Sequence, residues 1–209
     1  MLGKNDEKVV LLAALVALPT FAAQKVDGFY IGAGIGDTSY ADDGFGKSVT
    51  NGATSTETDG ASFKLIGGYQ FNKIAAIEAQ YTKYGTANTK LSNTKALTMD
   101  SESLIVAANL GYTFDNGLRP YGVIGAGIVS WDVRNAGSTA YLNNKSSNTF
   151  AVRAGLGLEY APAMFDGWAV RAGYEVDAFA ADVEDSLTKK TTEHTLGMGS
   201  FYIGSTYKF

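Results

Sequence analysis

Apolar and polar residues alternate along much of this 209-residue chain, most clearly in its last segment, residues 194–209. One parity of that segment carries Phe201, Ile203, Tyr207 and Phe209, and the other carries Ser200, Tyr202, Thr206 and Lys208. A period of two residues is that of a β-strand whose two faces meet different surroundings. The pattern therefore predicts an amphipathic strand that ends on an aromatic residue.

Seven further runs with the same alternation precede this segment. The eight runs cover residues 28–40, 61–71, 74–84, 103–114, 119–133, 149–160, 168–179 and 194–209. Each is long enough for the ~9 to 11 residues that a tilted strand needs to cross a bilayer. Short connections at 72–73, 115–118 and 161–167 alternate with longer polar ones at 37–60, 85–102, 134–148 and 180–193. This arrangement predicts an all-β fold, an eight-stranded antiparallel up-and-down transmembrane β-barrel.

The faces of the sixth and seventh runs distinguish a membrane barrel from a soluble barrel such as a lipocalin. One face is bulky and apolar, with Val152, Leu156 and Trp168 among its members, and the other mixes charged residues with glycine. The interior of an eight-stranded barrel is just wide enough for side chains. We therefore expect small and ion-pairing residues inside and bulky apolar residues against lipid, which disfavours the soluble alternative.

This parity places three cations and four anions in the barrel interior, where an unpaired charge is costly. They are Lys64, Glu78, Arg153, Glu159, Arg171, Glu175 and Asp177. We expect a salt-bridge network that fixes the packing and plugs the lumen, and a gated ion path through the same network is the alternative. A general diffusion pore is not expected, because open channels have about 16 to 18 strands.

Aromatic residues concentrate near the ends of the predicted strands, as in the girdles that mark membrane interfaces. The residues beside the short connections are Tyr69, Phe71, Tyr112, Phe114, Tyr121, Tyr160, Trp168, Tyr207 and Phe209. Tyr81, Trp131 and Phe179 lie nearer the long connections. We predict that these side chains face the two membrane interfaces.

The N-terminal segment and the composition indicate the cellular compartment of the protein and disfavour some kinds of site and partner. An apolar run at residues 9–18, followed by Pro19 and small residues through Ala23, is typical of a secretory signal peptide. We predict cleavage after Ala22, with 1–22 as the signal peptide and 23–209 as one barrel domain. The absence of Cys excludes a disulfide framework and thiolate metal sites. A net charge of -4 disfavours nucleic acid as a partner.

Four stretches resemble the OmpA/OmpX-type outer-membrane β-barrel family. They are GFYIGAGIG at 28–36, GGYQFNKIAAIEAQY at 67–81, LRPYGVIGAG at 118–127 and YKF at 207–209. The resemblance implies a Gram-negative outer-membrane protein with extracellular loops and periplasmic termini. It also implies lipid and lipopolysaccharide as partners, a monomer, and Phe209 as the C-terminal residue presented to the barrel-assembly machinery. Members similar to OmpA itself carry a peptidoglycan-binding domain after the barrel, whereas this chain ends at its last predicted strand. A cell-wall tether is therefore not expected here.

Residues for enzymatic chemistry are few. His194 is the only histidine, and a Ser-His-acid site needs a serine within hydrogen-bond reach of its ring. Ser186 is a candidate, whereas Ser200 lies too far along the strand. The chain lacks the His-x-Ser spacing that would resemble a barrel lipid A deacylase. We therefore expect no enzyme, no cofactor and no metal site, with a lipid A-modifying enzyme as a minor alternative.

Two classes of function remain. One is a structural protein that supports envelope integrity through its barrel, and the other is a surface adhesin or ligand-binding protein that contacts a host molecule or another cell through its four long loops. The loops carry both signs of charge, at Asp37, Asp42, Asp43, Glu57, Asp59, Asp182, Glu184 and Asp185, and at Lys47, Lys90, Lys95, Lys145, Lys189 and Lys190. Loop charge alone does not choose between the two, and we favour the structural function.

Overall fold

The computed structural model describes residues 26–42, 54–91, 94–135, 145–184 and 191–209. The predicted signal peptide at 1–22 lies outside these residues. The first part of the chain contributes β1 (Gly28–Gly36), β2 (Ser39–Asp42), β3 (Thr54–Asp59), β4 (Ser62–Gln70), β5 (Ala75–Lys83) and β6 (Thr86–Leu91). The second part contributes β7 (Thr94–Gly111), β8 (Leu118–Asn135), β9 (Lys145–Tyr160), β10 (Trp168–Glu184) and β11 (Thr191–Lys208).

These strands form eight passes of one closed antiparallel sheet. Three passes are each divided by a two-residue interruption, into β1 with β2, β3 with β4, and β5 with β6. Pairing runs around the wall from β1 through β4, β5, β7, β8, β9 and β10 to β11, which pairs back with β1. The predicted fold, an eight-stranded antiparallel transmembrane barrel, is confirmed.

One end of the barrel is closed by three short turns, which we call the short-turn end; the opposite end is the long-loop end. In the first turn, the side chain of Asn72 accepts hydrogen bonds from the backbone N–H groups of Ile74 and Ala75. The other two turns contain Gly117 with φ of 84° and Gly167 with φ of 77°, a conformation that residues with a Cβ rarely adopt. These local features set the register of the strands that enter the barrel wall.

The wall is taller at the long-loop end than the alternation predicts. Residues 94–102 and 180–184 are predicted to lie in loops, whereas they form the beginning of β7 and the end of β10. β7 pairs with β8 as far as Leu97 and Asn135, and β10 pairs with β11 as far as Glu184 and Thr191. Backbone pairing stabilises these polar segments although their sequence lacks a continuous apolar face.

The outward face changes character along each strand. On β7 the outward side chains are apolar from Leu110 to Leu104 and then become charged at Glu102 and Asp100. On β8 the same change follows Ile128. Apolar side chains that are half exposed or more belong against lipid, and charged ones belong in water. The wall therefore consists of a membrane belt next to the short turns and a projecting part beyond it.

Aromatic rings at the short-turn end pack against one another on the outer surface. The ring centroids are 4.7 to 5.2 Å apart for the pairs Phe29–Tyr69, Tyr69–Phe71, Tyr112–Phe114, Trp168–Tyr207 and Tyr207–Phe209. Tyr160 at the same end, and Tyr81 toward the long-loop end, also lie on the outward parity and are partly buried. Such a ring of amphipathic and aromatic side chains matches a membrane interface.

Three of the predicted interface aromatics lie inside the barrel instead. Tyr121, Trp131 and Phe179 are 4%, 6% and 3% exposed. The prediction was wrong for Tyr121 because both faces of β8 carry apolar or small residues between Tyr121 and Val129, so composition does not mark the lipid side. It was wrong for Trp131 and Phe179 because they lie in the projecting part, where the core is on the inside.

Candidate functional site in the barrel lumen

Charged side chains fill the middle of the barrel. All seven residues predicted for the lumen point inward and are buried, the most exposed being Glu159 at 8%. They come from β4, β5, β9 and β10, which place them on the inward parity opposite the apolar belt. They separate into two groups that lie one above the other along the barrel axis.

The first group, which we call the central quartet, consists of Lys64, Arg153, Glu175 and Asp177. Lys64 Nζ lies 2.5 Å from Glu175 Oε2, and Arg153 Nη1 lies 3.2 Å from the same oxygen. Arg153 also donates two hydrogen bonds to Asp177, of 2.6 Å from Nε and 2.7 Å from Nη2. Two positive and two negative charges compensate each other here, so the quartet is electrically balanced.

Neutral side chains complete the hydrogen bonding of the quartet. Arg153 donates to Gln80 and, over 2.8 Å, to Ser103, while Tyr84 donates a 2.6 Å hydrogen bond to Asp177. The arginine uses its donors on several strands at once, which ties opposite sides of the wall together. Burying ion pairs is tolerable only when the remaining donors and acceptors are satisfied in this way.

The second group lies nearer the short turns and is centred on Arg171. This arginine donates hydrogen bonds of 3.1 and 2.9 Å to Glu159 from Nε and Nη2. Its Nη1 lies 2.9 Å from Glu78 as an ion pair outside hydrogen-bond alignment. Glu78 in turn accepts hydrogen bonds from Tyr30 over 2.6 Å and from Asn109 over 2.8 Å.

Aromatic rings and glycines fill the space between the two groups. The hydroxyls of Tyr121 and Tyr202 lie 2.9 Å apart, and Arg171 stacks over the Tyr121 ring with its guanidinium carbon 4.8 Å from the centroid. A Cβ at Gly157 would collide with the Tyr121 ring, so the absence of a side chain there makes room for the tyrosine. The lumen is consequently packed across its width at this level.

Several luminal residues escape prediction from the sequence. Arg119 is 2% exposed and lies on the inward parity of β8, where the faces are hard to distinguish. Neutral partners such as Gln80, Tyr84 and Asn109 resemble ordinary strand residues until the pairing brings them beside a carboxylate. Their inward parity is the one signal that marks them, along β5 for Gln80, just beyond its end for Tyr84, and along β7 for Asn109.

Beyond the central quartet the interior becomes apolar. Its buried members at the long-loop end, which we call the upper cluster, are Tyr84, Val129, Trp131, Val133, Phe179, Leu196 and Met198. Tyr40 and Met99 pack against this cluster and are partly buried. Two layers of different chemistry, ionic and apolar, therefore close the barrel interior.

Outside the membrane belt, two exposed cations pair with neighbouring carboxylates. Lys73 Nζ lies 2.9 Å from Asp115, and this hydrogen bond raises the pKa of Lys73. Arg134 lies 2.8 Å from Asp132 in the projecting part, and this hydrogen bond likewise raises the pKa of Arg134. Both pairs join adjacent parts of the outer surface and do not reach the lumen.

The side chains of the candidate catalytic residues of the sequence are not described by the structure. The side chain of His194 and the whole of Ser186 lie outside the part of the structure that is described. Among the described residues, no group of three or more His, Cys, Asp or Glu side chains is placed to hold a metal ion. The described residues also form no helix long and apolar enough to cross a membrane.

Comparison with known proteins adds a family and a fold. The family described as outer membrane protein β-barrel domain matches residues 9–209. Outer membrane protein A of Serratia marcescens is 28% identical over 192 residues, which are 87% of this chain and 51% of that protein. The chain thus spans about half the length of this relative.

Two solved structures illustrate the shared architecture. The outer membrane protein OprG from Pseudomonas aeruginosa is 16% identical with a TM-score of 0.61, over 90% of this chain and 98% of that one. Ail, the attachment invasion locus protein of Yersinia pestis, is 17% identical with a TM-score of 0.52, over 88% and 99%. At these identities the similarity shows the fold alone.

Proposed function

Because the chain belongs to the outer membrane protein β-barrel domain family, we propose that it is a structural component of the outer membrane that supports envelope integrity. The closed antiparallel sheet and the family match show that the chain is an outer-membrane barrel, and its role in the envelope is what we propose. In this role the barrel acts through its contacts with surrounding lipid and lipopolysaccharide, and not through transport or catalysis.

The observation that carries the proposal is the pairing of a lipid-facing apolar belt with a filled lumen. The belt exposes side chains such as Ile124 and Leu156, which are 65% and 74% exposed in the isolated chain. Inside, the central quartet and the Arg171 group occupy the cross-section with buried ion pairs. A barrel of this kind offers lipid a rigid apolar surface and offers solutes no open passage.

The orientation follows the plan of bacterial barrels, with the short turns in the periplasm and the long loops outside. Under this orientation Phe209 lies at the periplasmic side, where the barrel-assembly machinery recognises the last strand. The protein acts as a monomer and without a cofactor or a catalytic centre.

A second candidate function, binding at the cell surface, is supported by the height of the wall. An 18-residue strand such as β7 is roughly 60 Å long at about 3.3 Å per residue. A tilt of about 40° reduces its height to roughly 45 Å, whereas the apolar band of such barrels is about 25 Å tall. Roughly 20 Å of paired wall then stands outside the membrane and presents its loops to other molecules. Ail, whose name refers to attachment and invasion, has a similar fold.

The two candidates separate in a complementation experiment. A deletion strain receives either the full protein or a barrel whose four long loops are replaced by tight turns, after both are shown to reach the outer membrane. Rescue of detergent and antibiotic resistance by the trimmed barrel supports the structural role. Rescue by the full protein alone contradicts it and favours surface binding.

A further inference from the structure

The charges at the short-turn end of the lumen are not balanced, in contrast to the central quartet. We define the terminal group as Arg119, Arg171, Lys208, Glu78 and Glu159, which are three cations and two anions. Both carboxylates are already engaged by Arg171, at 2.9 Å each. Within this group one positive charge therefore lacks a counter-charge, and the exposed Asp27 is a further carboxylate that attracts Lys208.

Arg119 is the residue that is left without a carboxylate. Its strand neighbour Glu159 is also the strand neighbour of Arg171, and Glu159 is bound to Arg171. Arg119 donates only long hydrogen bonds, of 3.4 and 3.5 Å, to the backbone carbonyls of Ile74 and Asn109. Its Nε has no hydrogen-bond partner among the described residues although the side chain is 2% exposed. A guanidinium in a protein does not lose its proton at neutral pH, so the positive charge of Arg119 persists.

Lys208 brings a second cation to the same place. Its Nζ donates to the side-chain oxygen of Gln70 over 2.6 Å and to the carbonyl oxygen of Val26 over 3.0 Å, which are both neutral acceptors. Neither Glu78 nor Glu159 forms an ion pair with this ammonium group, because both carboxylates pair with Arg171. Arg119 and Lys208 thus bring two cations to one place without a direct ion pair, and the attraction that acts on them comes chiefly from Glu159, which is bound to Arg171.

A cavity lies between these two cations. Its volume is about 20 Å³, and its walls include Tyr30, Gln70, Arg119, Glu159, Thr206 and Lys208. The turn residues Gly117 and Gly167 form its outer rim, so it opens toward the short-turn end. A site of this size accepts a ligand of about the volume of one water molecule, and a larger organic anion is excluded.

We propose that this cavity is a binding site for one small monatomic anion, with chloride as the ligand. The anion accepts hydrogen bonds from Arg119 and Lys208 and neutralises the excess charge of the terminal group. The bound anion thereby brings the terminal group to zero net charge, as the two carboxylates do for the central quartet. The site does not depend on the proposed structural role of the barrel.

The test compares chloride with gluconate, an anion too large for the cavity, at equal ionic strength. The mature chain is folded in detergent micelles, and the urea midpoint of unfolding is measured in each salt. We expect a higher midpoint in chloride for the wild type, because a ligand that binds the folded state stabilises it. Arg119→Gln should lose this shift. Lys73→Gln, which removes an exposed cation at the same end, should keep it.

A second measurement locates the anion directly. Crystals soaked in bromide should give an anomalous scattering peak inside the cavity, between Arg119 and Lys208. If Arg119→Gln does not fold, Lys208→Gln serves as the second variant and should weaken that peak. Equal midpoints in the two salts would overturn the proposal, as would an unchanged chloride shift in Arg119→Gln. Bromide peaks confined to the outer surface would also overturn it.

Discussion

The barrel has two interiors that differ in chemistry although one continuous wall surrounds both. Within the membrane belt the lumen contains the central quartet and the terminal group, and the outer face is apolar. In the projecting part the arrangement is reversed, with the upper cluster inside and charged residues such as Glu102 and Asp132 outside. Along β11 the inward side chains change from Thr206 and Ser200 to Met198 and Leu196.

This reversal shows that the solvent outside the wall decides what is placed inside it. Where lipid surrounds the barrel, apolar groups gain nothing by moving inward, and the narrow lumen is filled by ion pairs and hydrogen bonds that hold the strands in register. Where water surrounds the barrel, burial of apolar area again stabilises the fold, as in a soluble protein. The two parts should therefore respond differently to the same kind of substitution.

The largest effect is expected in the central quartet. Arg153→Met removes the cation that pairs with Asp177 and Glu175 and leaves buried carboxylates short of a counter-charge. We expect a loss of about 3–5 kcal/mol in the free energy of unfolding, measured with urea in detergent micelles. Adding Asp177→Asn to this variant should recover part of the loss, because it removes one uncompensated charge. A double variant less stable than the single one would contradict the charge argument.

A somewhat smaller effect is expected in the upper cluster. Phe179→Ala leaves a cavity among apolar side chains and should cost about 3 kcal/mol. Because the cluster lies in the projecting part, hydrogen exchange should speed up in the upper halves of β10 and β11 more than in the belt. Phe201→Ala, on the lipid-facing side of β11, is the matched control and should cost less. Equal losses for the two variants would mean that the projecting part has no core of its own.

The two tryptophans provide a test that does not involve stability. Trp168 is 53% exposed on the membrane belt, whereas Trp131 is 6% exposed inside the projecting part. In vesicles with brominated acyl chains, the fluorescence of Trp168 in the variant Trp131→Phe should be quenched several-fold more strongly than that of Trp131 in the variant Trp168→Phe. Similar quenching of both residues would place Trp131 at the lipid surface and contradict its position in the upper cluster.

The smallest effect is expected at the exposed pair of Lys73 and Asp115. The hydrogen bond to Asp115 raises the pKa of Lys73 above its ordinary value of 10.5. A raised pKa means that this pair contributes fully below pH 10.5 and that the contribution disappears as the pH rises through the folded-state pKa. Lys73→Ala should therefore leave the urea midpoint almost unchanged at neutral pH in physiological salt. A clear loss of stability would show that the short turn depends on this contact.

Much of the fold can be predicted from the sequence, because the strands, the turns and the lipid-facing side each depend on a pattern among neighbouring residues. The period of two, the Asn and Gly residues of the short turns and the apolar parity of β9 and β10 are properties of neighbouring residues. Together they specify eight passes, their direction and the faces that meet lipid. The same parity assigns Arg153, Arg171 and their carboxylates to the interior.

Other features depend on contacts that the linear sequence does not encode separately. The pairing of Glu159 with Arg171, which leaves Arg119 without a carboxylate, follows from three strands lying side by side and from competition between two equivalent neighbours. The inward position of Trp131 depends on how far the wall extends beyond the membrane, and that of Tyr121 depends on which of the two similar faces of β8 turns toward the lumen. The alternation thus determined which residues share a face, and the closed barrel decided which face is the core at each height, because that depends on the surrounding solvent.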